Sequence, residues 1–186
     1  MESTVKANLI AFAFACAIAL SAAACSQPAE QDAAAPAETA EVTGPPVQLT
    51  ATPLGGNAAA ETGALTINTA AGDLASAQSM HITTEQGASY DLSFLSEPDI
   101  NENLGSTTWN SLVNPSNGQE VRLFAVSNAS NRAQGFCRPG GVTHIALGQR
   151  VEGGTTELRI AAFDDNAAPS AESPQSACSS YSYSVQ

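Results

Sequence analysis

From about residue 61 onward the apolar side chains recur at every second position, a spacing that confines the folded part of the chain to strands with one buried face. Leu65 and Ile67, then Met80 and Ile82, then Tyr90, Leu92 and Phe94, alternate with polar neighbours. Gly87 lies where a tight connection between the second and third of these strands is needed. Val121 to Val126 carries apolar groups on both faces, so it reads as a strand covered on both sides. Val142 to Leu147 and Thr155 to Phe163 flank a turn containing Glu152-Gly153-Gly154, the signature of a β-hairpin. The last segment, Cys178 to Val185, places Tyr181, Tyr183 and Val185 on one face. Only Ser106 to Val113 favours helix, with Ser106 or Thr107 as cap and Trp109, Leu112 and Val113 on one side. The expected fold is all-β: a small sandwich or partly open barrel of about seven strands with one short helix.

Two cysteines, Cys137 and Cys178, fall inside this folded part, and an even pair in an oxidising compartment most simply forms a disulfide. The alternative, a redox or metal pair, lacks both a CxxC motif and a nearby histidine.

The other two cysteines lie near the start. An apolar run, Leu9 to Leu20, follows Lys6 and is too short for the roughly 20 residues of a spanning helix. It gives way to Ser21-Ala22-Ala23-Ala24 and then Cys25. Ala22-Ala23-Ala24 would also satisfy an ordinary signal-peptidase site. The cysteine immediately after it makes the leader resemble the lipobox of bacterial lipoproteins. That resemblance implies a signal peptide over residues 1–24, removed together with Cys16, and diacylglycerol attached to the Cys25 thiol. It also implies a chain held permanently on a bilayer. Ser26, in place of Asp, favours the outer membrane on its periplasmic side.

Residues 25–60 are rich in Ala, Pro, Glu, Thr and Gln and are expected to form a disordered tether, leaving residues 61–186 as the β-rich domain. The tether would span about 30–35 Å.

The net charge of −12, with Lys6 the only lysine, argues against nucleic acid and anionic lipid headgroups; it would attract cationic proteins or peptides, but its simpler role is to keep the protein soluble. The motifs HExxH and GxSxG and the Walker loop do not occur. His81, with Ser79 and Thr83 on the polar face of its strand, and His144, beside Val142 and Ala146, are expected to be ordinary strand residues. Asp99, Asn101 and Asn103 start like an EF-hand loop, but Leu104 and Asn110 stand where Gly and Glu are required. Turn formation is the simpler role for them, and likewise for Asp164-Asp165-Asn166. Arg138-Pro139-Gly140-Gly141 reads as a sharp turn with a solvated arginine.

The expectation is therefore a non-enzymatic, membrane-anchored envelope module, without cofactor or metal, that meets an unknown envelope macromolecule. Its small, acidic, bridged design is similar to bacterial inhibitors of cationic lysozymes, in architecture and charge alone. The competing expectation is a small envelope hydrolase that uses His144 or His81 with a neighbouring carboxylate.

Overall fold

The computed structural model describes residues 46–70, 72–139 and 141–186. Within them eight strands form one closed antiparallel barrel in simple sequence order. The strands are β1 Val47–Pro53, β2 Leu65–Thr69, β3 Ser79–Thr84, β4 Ser89–Ser96, β5 Arg122–Ser130, β6 His144–Glu152, β7 Thr155–Phe163 and β8 Ser179–Val185. Closure is made by β1 and β8, where Ala51, Thr52 and Pro53 stand opposite Val185, Ser184 and Tyr183. Of the two expected all-β forms the sheet is the barrel, fully closed, and among the described residues no edge strand is left unpaired.

The eighth strand is β1, and it corrects the expected domain boundary. The stretch 47–60, assigned to the tether, holds a barrel strand and a short helix, α1 Gly56–Glu61. The β1 residues do alternate, with Val47, Leu49 and Ala51 paired to Thr69, Ile67 and Leu65. Yet Ala51 is fully buried while contributing only a methyl group. Small side chains among prolines thus build a wall without a strong apolar signal. Residues 1–24 and the tether up to residue 45, with Cys25, lie outside the described residues.

The alternating positions converge as the sequence requires. Leu65, Ile67, Ile82, Tyr90, Leu92, Phe124, Ile145, Ile160 and Tyr183 fill the interior. An eight-stranded barrel has a lumen that side chains of this size can fill. The β6–β7 hairpin turns on Gly153 and Gly154, both at positive φ (58° and 84°), the geometry that a two-residue connection demands. Gly87, also at positive φ, makes the β3–β4 turn, its amide donating to the carbonyl of Thr84 at 2.9 Å.

A second apolar cluster sits outside the barrel, where α2 Trp109–Val113 covers β5, β6 and β7. The helix cap is Thr108, whose hydroxyl accepts from the Ser111 amide at 3.3 Å. The cap is thus one residue beyond the expected Ser106 or Thr107, and the Thr107 carbonyl accepts from the Leu104 amide in the preceding turn. The hydrogen bond from the Asn101 amide to Asp99 Oδ1 (2.8 Å) shows the Asx chemistry expected of that loop.

The two ends of the barrel differ. One is closed by α1, by Phe136 and by the Cys137–Cys178 disulfide, which ties the β5–β6 connection to the start of β8 across a Cα separation of 5.4 Å. There the Tyr183 hydroxyl bonds to Thr62 (2.6 Å), which in turn donates to the Ala58 carbonyl (2.8 Å). Burial pushes the Tyr183 phenol up to about 12. The Tyr181 hydroxyl donates to Glu61 at 2.6 Å, and Arg138, exposed as expected, reaches the Glu61 carbonyl. The other end is the mouth. It is formed by the β2–β3 loop, the β4–β5 connection and the β6–β7 hairpin.

Candidate functional site at the barrel mouth

Arg122, the first residue of β5, shares the inward-facing side of its strand with Phe124, so its long side chain runs along the barrel interior near the mouth. It is only 7 % exposed. A buried guanidinium is tolerable only when its charge and donors are answered, and here most are. One terminal nitrogen donates to the carbonyl of Ala75 and to Glu97 Oε1 (2.7 Å), the other to the carbonyl of Ala77 (2.8 Å). Its Cζ lies 4.3 Å from the centre of the Phe94 ring and 5.8 Å from that of Phe124, so the apolar lumen also supplies cation–π contact. The Nε atom is buried and has no hydrogen-bond partner among the described residues.

The β2–β3 loop is shaped to present those carbonyls. Asp73 Oδ1 accepts from the Ser76 amide (2.7 Å) and hydroxyl (2.8 Å), and Leu74 and Ala77 are buried beneath it. The Ser76 hydrogen bonds hold the Asp73 carboxyl below its usual range. Above Arg122 a cavity of about 310 Å³ is lined by Leu74, Ala75, Gln119, Glu120, Leu147 and Gln149. The neighbouring Glu97 carboxyl raises the Glu120 carboxyl above its ordinary value, by its hydrogen-bonding influence and then by its like charge.

The two histidines occupy different settings. On the outer wall of the barrel, the register Asn68–His81–Asp91–Asn128 aligns four side chains across β2 to β5. His81 Nδ1 meets Asp91 Oδ1 at 2.6 Å, and because an ionised carboxylate only accepts, Nδ1 carries the proton. The bond from His81, then that from Asn128, holds the Asp91 carboxyl low. A register shift falls next to Asp91, and the Ser127 hydroxyl fills it by donating to the Asp91 carbonyl at 3.0 Å. Both members of the pair are about half exposed, at 43 % and 47 % of their side-chain surface. The cleft of about 320 Å³ around them also includes Ser79, Ser93 and Ser127.

His144 faces outward at the start of β6 and is buried. Its Nδ1 is 3.0 Å from the Thr143 hydroxyl, which also reaches the carbonyls of Phe163 and Asp165. Burial pushes the His144 imidazole down, opposed by the Asp165 backbone. With the folded value below the ordinary 6.5, the unfolded chain takes up the proton first, so stability present above that pH declines as pH falls through it. Urea midpoints measured from pH 7.5 to 5 are expected to fall with pH, and a His144→Gln variant should flatten that slope. An unchanged slope would remove His144 from the account.

The structure thus brings His81 to a carboxylate and leaves His144 without one among its hydrogen-bond partners. Among the described residues no group of three or more His, Cys, Asp or Glu side chains is placed to hold a metal ion. Also among them, no helix is long and apolar enough to cross a membrane. The mouth residues Arg122, Glu97 and Glu120 were not foreseeable as a set, because Glu97 lies far in sequence from the other two and they carry no motif. The one available signal was an arginine inside the apolar run Val121 to Val126. Compared with models of protein families, with curated proteins and with solved structures, the chain finds no match.

Proposed function

We propose that this protein is a lipid-anchored, non-catalytic binding module of the bacterial cell envelope, held by Cys25 on the periplasmic side of the outer membrane, with the barrel mouth as its binding face. The observation that carries the reading is the mouth cavity, where a buried arginine, a glutamate and two glutamines converge at the end of a filled barrel. Barrel mouths are recurrent ligand sites because the rigid wall holds polar groups in place at no cost at the moment of binding. The overall charge of −12 favours a cationic partner, a cationic envelope protein such as a lysozyme being the sharper form of the reading. Nucleic acid is disfavoured by the same charge.

A second reading rests on His81 and Asp91. Their 2.6 Å contact leaves Nε2 free to take a proton, the arrangement that a hydrolase employing water or a cleft serine would need.

One set of variants tests both readings. A photo-crosslinking residue at position 119 is expected to capture a defined partner in intact cells, and the same residue at position 182 on the far wall to capture none. Cys25→Ala should move the protein from the membrane to the soluble fraction and reduce that capture. His81→Ala should leave the capture unchanged. Equal capture from both positions would sink the mouth as binding face. Purified protein that hydrolyses an ester, and loses that activity in folded His81→Ala, would put the second reading first.

A further inference from the structure

We infer that the segment 72–77 is a displaceable lid on the barrel mouth, latched by Arg122, and that a peptide segment takes its place by offering Arg122 backbone carbonyls of its own. This rests on the mouth being the binding face and names what that face holds.

The latch is visible in the hydrogen bonds. Residues 72–77 lie in the β2–β3 loop, where Ser76 bonds back to Asp73 within the segment itself. Among the described residues, the hydrogen bonds that join 72–77 to the rest of the chain are those from Arg122 to the carbonyls of Ala75 and Ala77, the latter at 2.8 Å. Backbone pairing resumes at Gln78, whose carbonyl accepts from the Phe94 amide at 2.8 Å. The apolar hold is Leu74 and Ala77, both buried. At Gly72 a Cβ would touch nothing within 4 Å, so the entry to the segment is not wedged in place. A segment tied by one side chain and two apolar anchors opens locally more readily than the paired strands around it.

The lid's seat describes what replaces it. Leu74 and Ala75 line the mouth cavity together with Gln119, Leu147 and Gln149, so a ligand in that cavity lies against the lid. With the lid raised, Arg122 keeps Glu97 Oε1 at 2.7 Å and the Phe94 ring at 4.3 Å, but loses both carbonyl acceptors. Unanswered donors on a buried guanidinium are costly, so the lid leaves in exchange for other acceptors. Charge decides which. Glu97 already balances Arg122, and Glu120 stands in the cavity lining, so an incoming carboxylate would meet two groups of its own sign. Neutral carbonyl oxygens carry no such cost. A peptide brings them two residues apart, as the lid does, with a leucine-sized side chain for the space that Leu74 vacates.

Opening is read by thiol labelling and peptide mass spectrometry on the full-length protein with its disulfide intact. Leu74→Cys places a thiol on the lid, and Ala51→Cys places one in the barrel wall at a position that is likewise buried. The lid thiol is expected to react at least about tenfold faster than the wall thiol under native conditions. Adding Arg122→Met to Leu74→Cys should raise the lid rate by about a further tenfold, through loss of charge-assisted bonds. An acetylated and amidated Ala-Leu-Ala-Ser-Ala peptide should accelerate lid labelling when Arg122 is present and leave the Arg122→Met form unchanged, and acetate should accelerate neither. Equal labelling of the two thiols overturns the lid, a comparison that needs no change at Arg122 and so survives misfolding of Arg122→Met. Acceleration by acetate in place of the peptide, or by neither probe, overturns the peptide as the replacement. If the lid thiol stays slow while position 119 still captures a partner in cells, the lid fails and the binding face stands. If the lid opens to the peptide and no partner is captured, the macromolecular reading fails instead.

Discussion

Loss of the Cys137–Cys178 bridge, by reduction or by a double Cys→Ser substitution, is expected to lower the unfolding free energy by about 4 kcal/mol. The two residues are 41 apart in sequence, so the bridge removes a large closed loop from the unfolded ensemble. It also fixes the chain beside Phe136, whose ring lies 5.1 Å from that of Tyr90 and 5.2 Å from that of Tyr181. Against the 5–15 kcal/mol typical of a domain, a loss of about this size leaves a marginal fold. Urea unfolding with and without reductant would show a midpoint lowered by roughly 1.5–3 M if the slope is ordinary for this size. An unchanged midpoint would mean that packing around Phe136 alone holds that end. The bridge lies opposite the mouth, so ligand affinity of the fraction still folded should not change.

Trp109→Ala should cost about 3–5 kcal/mol, the range for deleting a large buried aromatic. Helix α2 has five residues and cannot persist by its own hydrogen bonds. It stays in place because Trp109 is fully buried, packs edge-on against Phe163 with centroids 5.7 Å apart, and donates its indole N–H to Glu102 at 3.1 Å. The strand beneath makes room for it. At Gly148 any Cβ would sit 2.7 Å from the Val113 carbonyl, so the helix backbone lies directly on β6. Thermal unfolding monitored by near-ultraviolet circular dichroism would measure the loss, with half-buried Leu112→Ala as the milder control. A change below about 1 kcal/mol would show that the helix is a passive cover.

Much of the barrel was written in the alternation of single strands, and little of its closure was. Strands β2, β3, β4, β6, β7 and β8 each carry large apolar residues at spacing two, so their existence and facing could be read locally. β1 was harder to read, because its one fully buried residue is Ala51, Leu49 is only half-buried and its flanks are prolines. Without β1 the partner of β8 is missing, and an open barrel or a sandwich is the natural inference. The bridge was legible because two cysteines, Cys137 and Cys178, fall within the β-rich part of the sequence. The His81–Asp91 contact depends on the register set by the Gly87 turn, and the Arg122 cluster on three distant segments meeting. Periodicity reports which face a residue occupies and not which residue stands opposite.

The seam between β1 and β8 has a consequence for how this molecule ages. Its first and last strands zip each other shut, so a single protease nick near Val47–Pro53 would free two hydrogen-bonding rims at once, on β2 and on β8. Such rims template strand addition between copies. A seven-residue ribbon at the amino-terminal side of the fold therefore acts as the guard against polymerisation, and clipped material should be the first to form fibres.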